Sequence, residues 1–247
     1  MFLNKVSTLQ IIRQQYQSKM SVMLAPNLLN LLLIQIIGIG WSFVSMYTTG
    51  TGNMLHSMTL KTYTGSATLV LTMLLLVFMA LSLSNKSSRH QDFVFTTNRL
   101  TSDITNIMIL LTFTVIGTIM SHFSLIIFRM LFYFTADGLL LQGAFLLTPA
   151  ELGLNWLLTF SYTVLAMGAV YALNSLFVAY PLAGIGLLLL FSLSVSTIER
   201  YFGTFSQVIE FFSQERCASL LILKLLLTGL GAFILSILMN NRLEVRQ

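Results

Sequence analysis

Six long apolar stretches, at residues 28–47, 63–83, 104–128, 152–173, 182–198 and 217–239, are separated by short polar segments along this chain. A helix needs about 20 mostly apolar residues to cross roughly 30 Å of hydrocarbon, and the pattern predicts six transmembrane helices. The first five stretches carry no charged residue, and the sixth carries Lys224 near its start. The fold class expected is all-α, a polytopic membrane helix bundle filling residues 1–247 as a single transmembrane domain.

The segments between the spans have patterns of their own. Ahead of the first span, Phe2, Val6, Leu9, Ile12, Tyr16 and Met20 recur every three or four residues, with Lys5, Arg13, Gln14, Gln17 and Lys19 between them. That spacing predicts an amphipathic elbow helix over residues 1–27 lying on the membrane face, either as an anchor or packed on a partner. Residues 84–103 form the one substantial polar loop, yet Phe93, Val94 and Phe95 sit in its middle. Two readings stand: the three apolar residues dip into the membrane interface, or they dock in a partner's pocket with Arg89, Asp92 and Arg99 as a charged rim. In residues 199–216, Phe202, Phe205, Ile209 and Phe212 recur at helical spacing, which predicts short helices at or in the outer leaflet.

Residues 130–148 are nearly long enough for a seventh crossing. Counting basic residues does not decide, because either plan puts eight on the inner side and four on the outer, with Lys224 inside its span. Asp137 decides against it. An aspartate at a helix centre costs about 2.5 to 3.5 kcal/mol on insertion, and Gly138, Gln142 and Gly143 add to the burden. The stretch is read as an extension of span three followed by an interfacial or re-entrant piece, with residues 240–247 as a cytoplasmic tail.

Composition sharpens this picture. Of 247 residues, 56% are hydrophobic and 9% charged, against about 25% charged in a soluble domain, so no attached soluble catalytic domain is expected. The net charge of +5 comes from basic residues scattered between apolar runs, which fits topogenesis and argues against a nucleic-acid surface. Cys217 is the sole cysteine, so an intrachain disulfide is impossible. The first 20 residues lack an apolar core followed by a small-residue cleavage site, so no cleaved signal peptide is expected.

The chemistry of several enzyme classes is missing. The phosphate-binding pattern GxxxxGK[ST] does not occur, so ATP hydrolysis by this chain alone is not expected. Of the three histidines only His122 falls within a span, which excludes ligation of a haem by paired histidines. His122 is read as a polar side chain facing other helices. Asp92, Asp103 and Asp137 lie in or beside loops, there is no HExxH, and Ser66 has no placed histidine, so an intramembrane protease is not expected. Spans one, two, four and five carry no ionisable group of the kind that couples a carrier to an ion gradient. Lys224 lies close enough to the outer end of its span to snorkel, or serves a polar cavity.

The order of features, an elbow helix, six spans, a polar loop with apolar residues between spans two and three, and outer helices between spans five and six, resembles the ABC-2 type transporter permease fold. The run from Arg89 to Ile107 is similar to the coupling-helix region of small bacterial permeases, including membrane subunits of phenol-soluble modulin and related peptide exporters. The resemblance implies a permease subunit in a bacterial cell membrane, with both termini cytoplasmic. It also implies pairing with a second copy or a related permease subunit, and energy from separate ABC ATPase subunits that bind ATP and Mg. Residues 84–103 would contact the ATPase through Arg89, Asp92, Phe93, Val94, Phe95 and Arg99, and the chain itself would hold no cofactor or metal. The cargo implied is an amphipathic peptide or lipid-like molecule, which some of the 19 phenylalanines and 13 methionines would accommodate. A non-transport membrane scaffold or assembly factor stands as the alternative, with a secondary carrier behind it.

Overall fold

The computed structural model describes residues 8–44, 46–53, 56–63, 65–85, 99–135, 148–180 and 217–242, with single positions at 186, 211 and 215. Five helices in these residues are long and apolar enough to cross a membrane. They are α1 (Thr8–Val44), α2 (Ser66–Ser84), α3 (Arg99–Thr135), α4 (Pro149–Ala179) and α5 (Ala218–Arg242). An antiparallel hairpin, β1 (Met46–Asn53) and β2 (His56–Tyr63), joins α1 to α2, with Met46 opposite Tyr63 and Asn53 opposite His56. The all-α class expected holds for the bundle, and the hairpin is an addition between two of its helices. Its threonines and tyrosines favour the pleated backbone and its glycines disfavour a continued helix.

The elbow helix expected over residues 1–27 is not shown as a separate element, since among the described residues one helix runs from Thr8 to Val44 without a break. At about 1.5 Å per residue, the 37 residues of α1 extend roughly 55 Å, well beyond the about 30 Å of hydrocarbon. Pro26 lies inside this helix and removes one backbone donor. The carbonyl that loses its helical partner is that of Val22, four residues back, while the Asn27 side-chain amide donates to the next one, of Met23, at 2.8 Å. Tertiary contacts hold the amphipathic part against α3. The Tyr16 and Thr112 hydroxyls lie 2.9 Å apart, Lys19 Nζ donates to Asn106 Oδ1 at 2.7 Å, and Met20 packs against the core. Leu9, at the same stripe's start, stays exposed.

Other helix starts follow from local chemistry. The Thr148 hydroxyl accepts from the Glu151 backbone N–H and the Glu151 carboxylate accepts from the Thr148 N–H, a capping box with Pro149 in the first turn. These bonds start α4 three residues ahead of the apolar run.

The core gathers Leu31 from α1, Leu76 and Met79 from α2, Leu110 and Phe113 from α3, Met167 and Tyr171 from α4, and Phe233 from α5. Facing outward are Ile36, Trp41, Phe78, Leu227 and Ile234, each more than half exposed, a surface suited to lipid rather than water. Gln35 is an exception to the apolar interior. Its Nε2 donates to Thr72 Oγ1 at 2.7 Å, and its Oε1 is buried with no partner among the described residues. Thr72 still donates to the Thr68 carbonyl without it. Gln35→Met is therefore expected to be neutral or to stabilise by up to about 1 kcal/mol, since it removes a buried unpaired acceptor. Equilibrium unfolding in detergent measures this, and a clear loss of stability would contradict it.

Helix directions follow from paired residues. α3 and α4 are antiparallel, as Asp103 meets Tyr171 while Thr114 meets Met167. Thr135 and Thr148 accordingly lie at the same end of the bundle. α4 and α5 run parallel, because Gly168 abuts Gly229, Tyr171 stacks near Phe233, and Ser175 bonds Ser236. Tyr180 and Ala218 therefore lie at opposite ends, and residues 181–217 join those two ends.

Candidate functional site

A buried polar layer occupies the end of the bundle where α1 and α3 begin and α2, α4 and α5 finish. Polar side chains within an apolar span are costly unless they face the bundle interior and find partners there. Asp103, 5% exposed and in the second turn of α3, does so with both oxygens. Tyr171 on α4 donates its hydroxyl to Oδ1 at 3.2 Å, and Asn240 on α5 donates its amide to Oδ2 at 2.9 Å. One carboxylate thus joins three helices. Hydrogen bonds to a carboxylate are stronger than those between neutral groups, roughly 1.5 to 3 kcal/mol each.

A second polar chain lies beside it. Ser236 on α5 donates to Ser175 on α4 at 2.7 Å, and the Ser175 hydroxyl lies 3.3 Å from that of Ser84, the last residue of α2. All three serines are fully buried. On the α1 side, Lys19 donates to Asn106, and Thr105 donates to Gln15 at 3.3 Å. Every described helix therefore has a polar tie at this end.

The segment expected to be a loop over residues 84–103 is corrected at both edges. Ser84 is helical at the end of α2, and residues 99–103 form the opening turns of α3, so Asp103 is a buried interhelical bond acceptor and not a loop residue. Arg99 is the first residue of α3. Arg89, Asp92, Phe93, Val94 and Phe95, five of the six expected contact residues, lie outside the described residues. The span expected at residues 182–198 and the outer helices expected at 199–216 also lie outside, apart from Gly186, Phe211 and Glu215.

The remaining polar candidates are satisfied locally. His122 Nδ1 lies 2.9 Å from the Thr118 carbonyl of its own helix. Lys224 forms an ion pair with Glu215, and its Nζ sits 4.1 Å from the Phe211 ring centroid, so the ammonium reaches residues preceding α5. Along the outer face, α1 and α2 border an open groove of about 490 Å³, whose lining includes Met23, Asn27, Asn30, Ile34, Phe78 and Met79.

Compared with protein-family models, with characterised proteins and with solved structures, the chain matches none. Sequence reasoning missed Tyr171, Asn240, Ser175, Ser236 and Asn106. Their signal was present as polar pairs one turn apart on otherwise apolar helices, Tyr171 with Ser175 and Ser236 with Asn240.

Proposed function

We propose that this chain is the membrane-spanning permease subunit of an ATP-binding-cassette exporter that moves amphipathic or hydrophobic cargo, peptides foremost. The observation that carries the reading is the apolar triplet Phe93, Val94 and Phe95 between Arg89, Asp92 and Arg99, in the segment joining α2 to α3. That segment leaves the bundle at the end where Arg13, Lys19 and Arg242 also lie. Basic residues favour the cytoplasmic side, which supports a cytoplasmic position for this end, where an ATPase would dock. Two permease subunits, identical or related, pair around the cargo path, and the ATPase supplies ATP and Mg. The parallel run of α4 and α5 supports a sixth span within residues 182–198. The groove beside α1 and α2 has the chemistry such cargo needs, with methionine and phenylalanine for the apolar face and two asparagine amides for the polar one.

Affinity capture tests the reading. The tagged chain, expressed at its native locus and solubilised in mild detergent, is expected to retain an ATP-hydrolysing protein and to show no hydrolysis once that protein is removed. Hydrolysis by the isolated chain, or capture of no ATPase, would overturn it. A scaffold gives the second result.

Orientation has its own test in the one thiol. Cys217 is exposed at the start of α5, at the opposite end from Asp103. A membrane-impermeant maleimide is expected to label it in intact cells, and labelling that needs permeabilisation would reverse the assignment.

A further inference from the structure

The two ends of the chain that flank residues 86–98 are both bonded to the same pair of helices. On one side Ser84, closing α2, meets Ser175 of α4, which in turn accepts from Ser236 of α5. On the other side Asp103, one turn after Arg99, meets Tyr171 of α4 and Asn240 of α5. The receiving pair is itself tightly joined. A Cβ added at Gly168 would lie 2.5 Å from the Gly229 carbonyl oxygen, so the two backbones are in contact without side chains between them. Tyr171 and Phe233 rings meet at 5.8 Å on the same face. A displacement of the α2 and α3 ends is thereby passed by short polar bonds to two helices that cannot easily slide apart. Apolar contacts alone would transmit it poorly, since they tolerate slippage at little directional cost.

We propose that Asp103 is the positioning residue that makes the start of α3 a handle on α4 and α5, with Ser84 as the second point of attachment. This rests on the permease reading for its biological use, because an ATPase seated at this end is what would move the handle. Asp103 acts by keeping the helix ends in register.

The test uses the full-length chain in lipid nanodiscs, with Cys217 replaced by serine and spin labels at Met108 on α3 and Leu238 on α5, both exposed. Wild type is expected to give one narrow distance distribution. Asp103→Leu should broaden or lengthen it by several ångströms. Asp103→Asn should keep it, since the new amide accepts from Tyr171 and donates to a turned Asn240. Asn240→Leu removes the α5 bond alone and guards against a leucine variant that fails to fold. A wild-type distribution in both Asp103→Leu and Asn240→Leu would overturn the proposal, as would loss in Asp103→Asn equal to that in Asp103→Leu. With the captured ATPase, labels at Leu33 and Leu238 report the ATP-driven movement of α5 against α1. Asp103→Leu is expected to lose most of that movement with an unchanged KM for ATP, and retention of it would equally overturn the proposal. If wild type captures no ATPase, the permease reading fails, while the nanodisc distances still decide the role of Asp103.

Discussion

Gly168→Ala is expected to cost more stability than alanine at any other glycine of the described helices. The new Cβ would stand 2.5 Å from the Gly229 carbonyl oxygen and 3.2 Å from its carbon, and both belong to a backbone that cannot rotate away as a side chain could. α4 and α5 would have to separate, weakening the Ser175–Ser236 bond and the Tyr171–Phe233 contact on the same interface. Overpacking of a tight core costs about 1 to 3 kcal/mol and sometimes more, and close approach of small residues is a main source of helix association in lipid. Gly168→Leu should prevent the pair from forming. Gly231→Ala is the matched control, because nothing lies within 4 Å of its added Cβ and alanine is the better helix former. It should be neutral or stabilising in the same detergent-unfolding measurement. Equal behaviour of the Gly168 and Gly231 variants would show that α4 and α5 are farther apart than described.

The sequence made the apolar helices legible because lipid imposes one strong requirement, a run of residues able to satisfy their own backbone bonds. Residues 63–83 and 217–239 correspond closely to α2 and α5. What escaped was set by local or tertiary detail that hydropathy does not weigh. The elbow and the first span read as two elements in the sequence, yet one helix runs through Pro26, with Tyr16 and Lys19 bonded to α3 ahead of it. Asp103 reads as a loop residue because a carboxylate is costly in a span, yet Tyr171 and Asn240 offset that cost from 68 and 137 residues away. No window along the chain contains those partners. The Thr148–Pro149–Glu151 pattern was readable in advance, since a hydroxyl, a proline and an acid at that spacing start a helix by local bonds alone.

Phe93→Ala and Phe95→Ala are expected to have the largest effect on partner capture, whereas Lys86→Ala should have little. A polar segment leaving the membrane has no need of two aromatic rings and a valine in succession, and their exposure to water would be unfavourable. An aromatic anchor seated in a partner's pocket commonly costs about 2 kcal/mol or more on truncation, roughly thirtyfold in affinity, while a rim charge costs far less. Capture of the ATPase by each phenylalanine variant should therefore fall by about that factor, or hydrolysis should continue without transport. Insertion should be unaffected, since both residues lie outside the five described helices and outside residues 182–198. Cys217 labelling in intact cells checks that independently, because it reads the far end of α5. On the permease reading, Asp103→Leu separates two failures: loss of the aromatics should lower capture, whereas loss of the Asp103 carboxylate should leave capture intact and remove the movement. Variants of both phenylalanines that insert, hold the ATPase and transport as wild type does would place the rings in the membrane interface instead.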